Sequence, residues 1–168
     1  DETALPKMVE LVRSGQADLV VGSRYAPGGS TGDWDASREK ISRAATWLSH
    51  VVTGVKLSDP MSGFFVIRRE TFEQVMRGLS GLGFKILLDI AATAKRDLRI
   101  AEVPYEFRLR QVGESKLDAQ VLWEFLLLLI DKRFGKWVPA RFVSFGAIGG
   151  MGVFVHFLVL TGMFQFLG

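Results

Sequence analysis

The connection from Phe107 to Lys116 has the residue types of a phosphate-binding loop. It reads Phe-Arg-Leu-Arg-Gln-Val-Gly-Glu-Ser-Lys, so two arginines, a glycine, a hydroxyl and a lysine share one short link. Arginine offers phosphate a bidentate fork and lysine a point charge, and a helix beginning near Asp118 would add free N–H groups. The spacing equally fits a capping box between Ser115 and Asp118 beside solvated cations, so the residues alone leave both interpretations open.

A second informative stretch is Asp59-Pro60-Met61-Ser62-Gly63-Phe64-Phe65. The proline holds Asp59 in an extended conformation, while Ser62 and Gly63 favour a tight bend. The apolar run from Phe64 to Ile67 then predicts a short buried strand. A carboxylate at the mouth of such a strand is well placed for chemistry, so Asp59 is a candidate site residue.

Alternating helical and extended patterns surround these stretches and predict an α/β layer fold. We expect helices at 4–14, 37–53, 70–76 and 84–96, and strands at 19–22, 64–67 and 100–107. Ser37 is the expected N-cap of the second helix and Gly54 its terminator, and Pro104 indicates an edge or irregular strand. Three strands are few for such a sheet, which favours a fragment that lacks an N-terminal half.

The composition changes sharply near the C-terminal end. From Phe142 to Gly168 there is no Asp, Glu, Lys or Arg, and about 20 apolar residues suffice for a helix to cross a bilayer. A basic cluster directly precedes this run, so the positive-inside tendency predicts that the front of the chain is cytoplasmic. The cluster consists of Lys132, Arg133, Lys136 and Arg141. A buried helix of a soluble protein is the alternative, and the length of the run disfavours it.

Residues 118–134 predict another helix, which is almost entirely apolar from Val121 to Ile130 except for Glu124. Its apolar run is too short to span a bilayer. It fits either a core helix or a helix on the membrane surface, and the basic cluster and long apolar run that follow favour the membrane surface.

The net charge gives no indication of nucleic-acid binding, and the cysteine content excludes disulfide-stabilised and cysteine-ligated metal proteins. The 168 residues include 21 Lys+Arg and 18 Asp+Glu, and this net charge of +3 is too small to indicate nucleic-acid binding. The chain has no cysteine, so neither a disulfide framework nor a cysteine-based metal site is possible.

The Asp59 segment resembles the Asp-Pro-x-Ser-Gly-Phe segment of family 2 glycosyltransferases, in the dolichol-phosphate mannosyltransferase-like group that uses polyprenol phosphates. The loop before Asp118 matches that group's Arg-x-x-Gly-x-Ser-Lys. The matching residues are Arg110, Gly113, Ser115 and Lys116, whereas Arg108 lies outside the pattern. A third match is Gly22-Ser23-Arg24 followed by Trp34, Arg38 and Ser42.

The resemblance implies three segments. Residues 1–117 would be the C-terminal half of a GT-A (Rossmann-like) domain, and 118–141 an interfacial amphipathic helix with a basic juxtamembrane segment. Residues 142–168 would be a transmembrane helix that looks like the start of a GtrA-like module. The chain would then be truncated at both ends.

The resemblance also implies the site. Asp59, Arg110 and Lys116 would be catalytic, with Asp59 orienting a sugar hydroxyl or a cation, and the substrate-binding residues would be Arg24, Arg38, Gly113 and Ser115. The cofactor would be Mg²⁺ or Mn²⁺, held by an Asp-x-Asp motif upstream of Asp1. Asp33-Trp34-Asp35 is not that motif, because it lies in a loop before a helix, where acidic residues simply favour the helix N-terminus. No metal ligand is therefore expected in this chain. We expect His50 to be solvated and give His156 no catalytic part.

The implied reaction is inverting transfer of mannose from GDP-mannose to a polyprenyl or dolichyl phosphate at the cytoplasmic membrane face. The expected partners are a nucleotide sugar, the lipid phosphate and the bilayer, with no nucleic acid. Glycines at 146, 149 and 150 also suit a homo-oligomer through membrane helices. This chain alone would be inactive. Two alternatives remain: glucosyl transfer from UDP-glucose to undecaprenyl phosphate, and a non-catalytic adaptor that binds lipid phosphates at the membrane.

Overall fold

The computed structural model describes residues 2–32, 34–83, 85–94, 98–107, 119–135, 137 and 139–167. In chain order the elements are α1 (Leu5–Arg13), β1 (Leu19–Ser23), α2 (Ala36–Thr53), β2 (Phe65–Ile67), α3 (Arg69–Val75), α4 (Ile86–Ala94), β3 (Ile100–Pro104), α5 (Ala119–Phe134) and α6 (Ala140–Leu167). This alternation confirms the α/β class. The assignment to half of a GT-A domain stays a prediction.

The strands form one mixed sheet in the order β2-β1-β3. β1 is parallel to β3, with Leu19 opposite Ile100, and antiparallel to β2, with Leu19 opposite Ile67. Every residue of β1 is buried, as expected for a central strand covered on both faces. Within the described sheet β3 is an edge strand, and its last residue is Pro104, as predicted from the inability of proline to donate to a neighbour.

Two apolar clusters cover the two faces of the sheet. On one face α1 packs on β1 and β3 through Met8, Val20 and Val103. On the other face the alternate residues Leu19 and Val21 pack on α3 and α4; the buried members of that cluster are Leu19, Val21, Val55, Leu57, Val75, Leu87, Ile90 and Ala91. Because successive side chains along β1 point to opposite faces of the sheet, this one strand contributes residues to both apolar clusters.

α2 begins and ends at identifiable caps. Its N-cap is Asp35, whose Oδ1 accepts from the backbone N–H of Arg38 at 2.9 Å. The prediction of Ser37 as the N-cap is wrong, because Ser37 already lies within the first helical turn and its hydroxyl donates to Asp35. Gly54 ends the helix in the left-handed region at φ 73°, as predicted.

α5 lies against the protein through most of its length. Phe125, Leu128 and Leu129 are buried with Leu88 of α4, and the apolar stripe of α2 packs on the same cluster. The core-helix alternative therefore describes this face of α5, whereas Leu122 and Trp123 are exposed on another face. Whether that exposed face lies on a membrane stays a prediction.

Lys132 is not a free juxtamembrane cation, contrary to its grouping with the basic cluster. Its ammonium contacts Oδ1 of Asp89 at 2.5 Å, with the two side chains 10% and 5% exposed. It also donates to Thr93 at 2.9 Å and to the carbonyl of Gly78 at 3.1 Å. This buried ion pair joins the end of α5 to α4.

α6 is a long apolar helix that contacts α5 and is otherwise largely exposed. The stretch Phe142–Gln165 has 24 residues and a mean hydropathy of 2.0, and none of its most apolar window is buried against the protein. It is long and apolar enough to cross a bilayer. Its similarity to a GtrA-like module stays a prediction.

Candidate functional site

Polar and aromatic side chains converge where β1 and β3 end. Arg24 follows β1 directly, and residues 105–107 follow β3. Because these strands are parallel, their carboxyl ends meet at one edge of the sheet, which is where α/β folds usually bind ligands. The turn at Asp59 precedes the antiparallel β2 and so reaches the same edge.

A buried ion pair between Arg24 and Asp59 is the centre of this site. Nε and Nη2 of Arg24 donate to Oδ2 and Oδ1 of Asp59 at 2.6 and 2.7 Å, and the backbone N–H of Arg24 donates to Oδ2 at 3.2 Å. The side chains are 8% and 0% exposed. Burial acts to lower the pKa of Arg24, but the hydrogen bonds and charge of Asp59 outweigh it and raise the pKa. Asp59 therefore keeps the guanidinium charged and in one orientation.

The turn around Asp59 explains why its residue types follow one another. The backbone N–H of Ser62 donates to the carbonyl of Asp59 at 3.1 Å, and its hydroxyl donates to the carbonyl of Gly22 at 2.7 Å. Gly22 has no Cβ, and one built there would lie 2.5 Å from the ring of Phe64. The serine and the glycine thus let the turn approach β1 closely enough for Asp59 to reach Arg24.

One indole ring contacts two arginines. The guanidinium carbons of Arg24 and Arg38 lie 4.6 and 4.3 Å from the centroid of Trp34, so both cations contact the same indole. Phe107 meets the same indole edge-on at 5.5 Å between ring centroids. Each cation–π contact is worth about 0.5–2 kcal/mol, which offsets the repulsion between the two cations. The indole N–H is buried and has no hydrogen-bond partner among the described residues.

A hydroxyl pair completes the side of the site formed by α2. The Tyr25 hydroxyl donates to Oγ of Ser42 at 2.9 Å, and the guanidinium carbon of Arg43 lies 5.3 Å from the Tyr25 ring. Ser42 stands one helical turn after Arg38, so both residues present side chains on the same face of α2. This arrangement places one hydroxyl and one guanidinium side by side.

Lys85 is a partly buried charge that the sequence did not single out. It immediately precedes α4 and is partly buried. Burial lowers the pKa of its ammonium, the nearby charge of Arg24 lowers it further, and Asp59 opposes the shift. Lys85 therefore lies within electrostatic range of the Arg24–Asp59 pair. A lone lysine before an ordinary helix carries no local signal, so only the tertiary structure reveals it.

Curated proteins similar to this chain share one activity in their names. Over 156 residues, covering 90% of the chain, it is 35% identical to the dolichol-phosphate mannosyltransferase of Pyrococcus furiosus, and over 145 residues, covering 83%, it is 41% identical to that of Mycosarcoma maydis. It is also 35% identical, over 71% of its length, to the undecaprenyl-phosphate mannosyltransferase of Micrococcus luteus. The chain is homologous to dolichol-phosphate mannosyltransferases. No family model matches it.

The homology covers only part of each relative. The aligned region is 43% of the Pyrococcus furiosus protein, 48% of the Mycosarcoma maydis protein and 49% of the Micrococcus luteus protein. The chain therefore spans about half the length of the curated mannosyltransferases it matches.

The structure brings together some of the predicted site residues. Arg24 pairs with Asp59, and Arg24 and Arg38 contact the same Trp34 ring, whereas their roles in substrate binding stay predictions. Arg110, Gly113, Ser115 and Lys116 lie outside the described residues, and their roles stay predictions. Both oxygens of Asp59 accept from Arg24, and its role in orienting a sugar hydroxyl or a cation stays a prediction.

Two further predictions concern metal ligands and histidines. Within the described ranges, no three His, Asp or Glu side chains are placed to hold a metal ion together. Asp35 caps α2, and Asp33 lies outside the described residues. The prediction that His50 is solvated is wrong: its Nε2 is 2.6 Å from the carbonyl oxygen of Leu57, so it holds the loop before Asp59.

Proposed function

We propose that this chain supplies the acceptor-phosphate site of a polyprenyl-phosphate glycosyltransferase. The complete enzyme would transfer mannose from GDP-mannose to dolichyl or another polyprenyl phosphate at the cytoplasmic face of a membrane. The observation that carries the proposal is the contact of two guanidinium groups with Trp34, one of them fixed by Asp59, in a chain homologous to dolichol-phosphate mannosyltransferases.

The geometry suits a phosphate monoester. Asp59 accepts hydrogen bonds from Nε and Nη2 of Arg24. The third nitrogen, Nη1, is not part of that ion pair and could donate to a phosphate oxygen. Arg38 and Ser42 add a second cation and a hydroxyl one helical turn apart. A phosphate oxygen is a strong acceptor for such charge-assisted bonds. An apolar helix suited to a bilayer, α6, follows in the same chain and agrees with a lipid substrate.

The proposed reaction requires no strong base. An oxygen of the acceptor phosphate is already anionic at neutral pH, and it attacks C1 of the sugar from the side opposite the leaving group. The new C1–O bond forms as the bond to the nucleoside diphosphate breaks, and the diphosphate leaves with that bond's electron pair. The arginines would hold the attacking oxygen in line, an effect of proximity and orientation. The anomeric configuration would be inverted.

The described residues offer no ligand set for Mg²⁺ or Mn²⁺. The expected ligands lie upstream of Asp1. For the same reason the proposal assigns the transfer reaction to the complete protein and not to this chain alone.

The relatives differ in the acceptor lipid that their names specify. Their names specify dolichol phosphate in Pyrococcus furiosus and undecaprenyl phosphate in Micrococcus luteus. Both lipids carry the same phosphate, so the arginine pair serves either. Competition among GDP-mannose, GDP-glucose and UDP-glucose on the complete protein, with each lipid in turn, separates mannosyl from glucosyl transfer.

Replacement of Arg38 by lysine tests the proposal. In the full-length protein Arg38→Lys keeps the charge but loses the fork, so we expect the KM for polyprenyl phosphate to rise about tenfold or more. Arg69→Lys is the matched control, because Arg69 is 87% exposed and its only ion pair within the described part of the chain is with Glu73, one turn further along α3. An unchanged acceptor KM in Arg38→Lys would contradict the proposal and favour an adaptor that merely binds anionic lipid.

A further inference from the structure

The loop that carries Trp34 is bound to the chain that follows β3. Ser30 forms an isolated parallel bridge with Glu106, and its carbonyl accepts from the backbone N–H of Phe107 at 2.9 Å. Gly32 follows in the left-handed region at φ 62°, and a Cβ built there would collide with the carbonyl oxygen of Phe107. The loop can lie this close to Phe107 only with glycine at that position, and these contacts fix the approach to Trp34.

The chain beyond Trp34 is fixed by the cap of α2. Asp35 follows Trp34 directly, and its Oδ1 accepts from the backbone N–H of Arg38 at 2.9 Å. A capping residue holds the first turn of its helix in place by satisfying a free N–H. The backbone of Arg38 is thereby held at a defined position relative to the indole.

The indole ring is the common contact of cations from two parts of the chain. The guanidinium carbon of Arg24, which follows β1, lies 4.6 Å from the ring centroid, and that of Arg38, in α2, lies 4.3 Å from it. Both distances are within about 6 Å, the range in which an aromatic ring attracts a cation. The separation of the two guanidinium carbons cannot exceed the sum of these distances. One ring therefore links the end of β1 to the start of α2.

Packing alone does not account for a tryptophan at this position. The indole nitrogen is buried and has no hydrogen-bond partner within the described ranges, and burial of an unpaired donor costs stability. A phenyl ring would fill much of the same space without that cost. Indole attracts cations more strongly than a phenyl or phenol ring does. The contacts with Arg24 and Arg38 are the property of Trp34 that uses this difference.

We propose that Trp34 is a positioning residue, whose indole ring holds Arg24 and Arg38 together in the arrangement that binds the acceptor phosphate. The inference rests on the proposed function, because it takes the phosphate from that reaction. Asp59 already fixes the orientation of Arg24. Trp34 sets the place of Arg38 relative to Arg24, so that one phosphate meets both guanidinium groups. In this role the ring acts through the two arginines and makes no bond to the substrate.

Two substitutions in the full-length protein test the role of the ring. Trp34→Leu removes the aromatic face, so we expect the KM for polyprenyl phosphate to rise about 3- to 30-fold, the change that corresponds to losing one cation–ring contact. The KM for the nucleotide sugar should stay unchanged. Trp34→Phe keeps a ring and should recover most of the loss. An unchanged acceptor KM in Trp34→Leu, or an equal rise in both variants, would overturn the inference.

Phe72→Leu is the control for a general loss of packing. Phe72 is a partly buried ring of α3, and it packs on the apolar cluster around Leu19 and Val21, which contains neither Trp34 nor an arginine. Its replacement should lower the unfolding temperature and leave both KM values unchanged. If Phe72→Leu raises the acceptor KM as much as Trp34→Leu does, loss of packing alone explains the effect and the positioning role is wrong.

A double-mutant cycle separates failure of this inference from failure of the proposed function, because it needs no substrate. If the ring holds Arg38, Trp34→Leu should lower the unfolding temperature less in an Arg38→Met background than in the unsubstituted protein, since the contact can be lost only once. Equal decreases in both backgrounds would refute the positioning role. Unequal decreases in a full-length protein that transfers no sugar to polyprenyl phosphate would support the contact and refute only the transfer reaction.

Discussion

Replacement of Asp59 by asparagine should destabilise the protein and disorient Arg24 at once. Asp59 is fully buried and accepts three hydrogen bonds from Arg24, two of them from the guanidinium at 2.6 and 2.7 Å. Asparagine has one acceptor oxygen in place of two, so its amide N–H₂ must face a donor of Arg24. The guanidinium is then left in a buried position without a counter-charge.

The expected loss is large because neither partner has water as a substitute. Removing one member of a buried ion pair costs about 3–5 kcal/mol. At about 2–4 °C per kcal/mol for a chain of this size, Asp59→Asn should lower the unfolding temperature by roughly 6–20 °C. Thermal unfolding in detergent, followed by near-ultraviolet circular dichroism, measures this change.

The double variant Arg24→Met/Asp59→Leu tests the physical reason. With both charges replaced by apolar groups, nothing charged remains buried, so most of the lost stability should return. Transferase activity of the full-length protein should not return, because Arg24, the proposed phosphate-binding residue, is absent. A change below about 2 °C in Asp59→Asn, or strictly additive losses in the double variant, would refute the reasoning.

Three further predictions test the surrounding structure. Gly22→Ala places a methyl group against the ring of Phe64 and should cost about 1–3 kcal/mol in urea unfolding; Phe64→Leu in the same chain should recover part of that loss. Hydrogen bonding to Arg99 lowers the pKa of Asp18 below its ordinary value of 3.8, so the stability that this pair contributes is present above that pH and is lost as pH falls through the lowered pKa. In a plot of unfolding temperature against pH, Arg99→Gln should therefore reduce the fall at acid pH. An unchanged fall would show that the Asp18–Arg99 pair does not contribute this stability. Val153→Lys puts a charge near the middle of α6, and should disfavour membrane insertion by about 2.5–3.5 kcal/mol in a glycosylation-mapping assay.

Features decided by near neighbours in the chain could be predicted. α6 is evident from a long run without charge, and the apolar stripe of α2 from its helical period; both were located within a few residues of their observed bounds. The motif around Asp59 predicted a turn before a strand, and the structure has that turn. Even at this level the N-cap of α2 was assigned two residues late, because Asp35 and Ser37 are both good capping residues.

Partnerships between distant residues could not be predicted. The sequence marked Arg24 and Asp59 as separate candidates, but they are 35 residues apart and only the sheet brings them together. Lys132 looked like one more juxtamembrane cation until the packing of α5 placed it beside Asp89. His50 looked solvated until the loop after α2 brought the Leu57 carbonyl to it.

The α/β class, most helices and strands and a helix suited to a bilayer follow from the order of residues along the chain, which also marks a set of candidate phosphate-binding cations. Those properties depend on residue type and short-range spacing. Both can be read directly from the sequence as hydrophobic periodicity and as capping residues. Only the tertiary structure decided which charges neutralise one another and which remain without a partner. That outcome depends on the distance between elements and on the water that packing removes, and neither quantity is a local property of the chain.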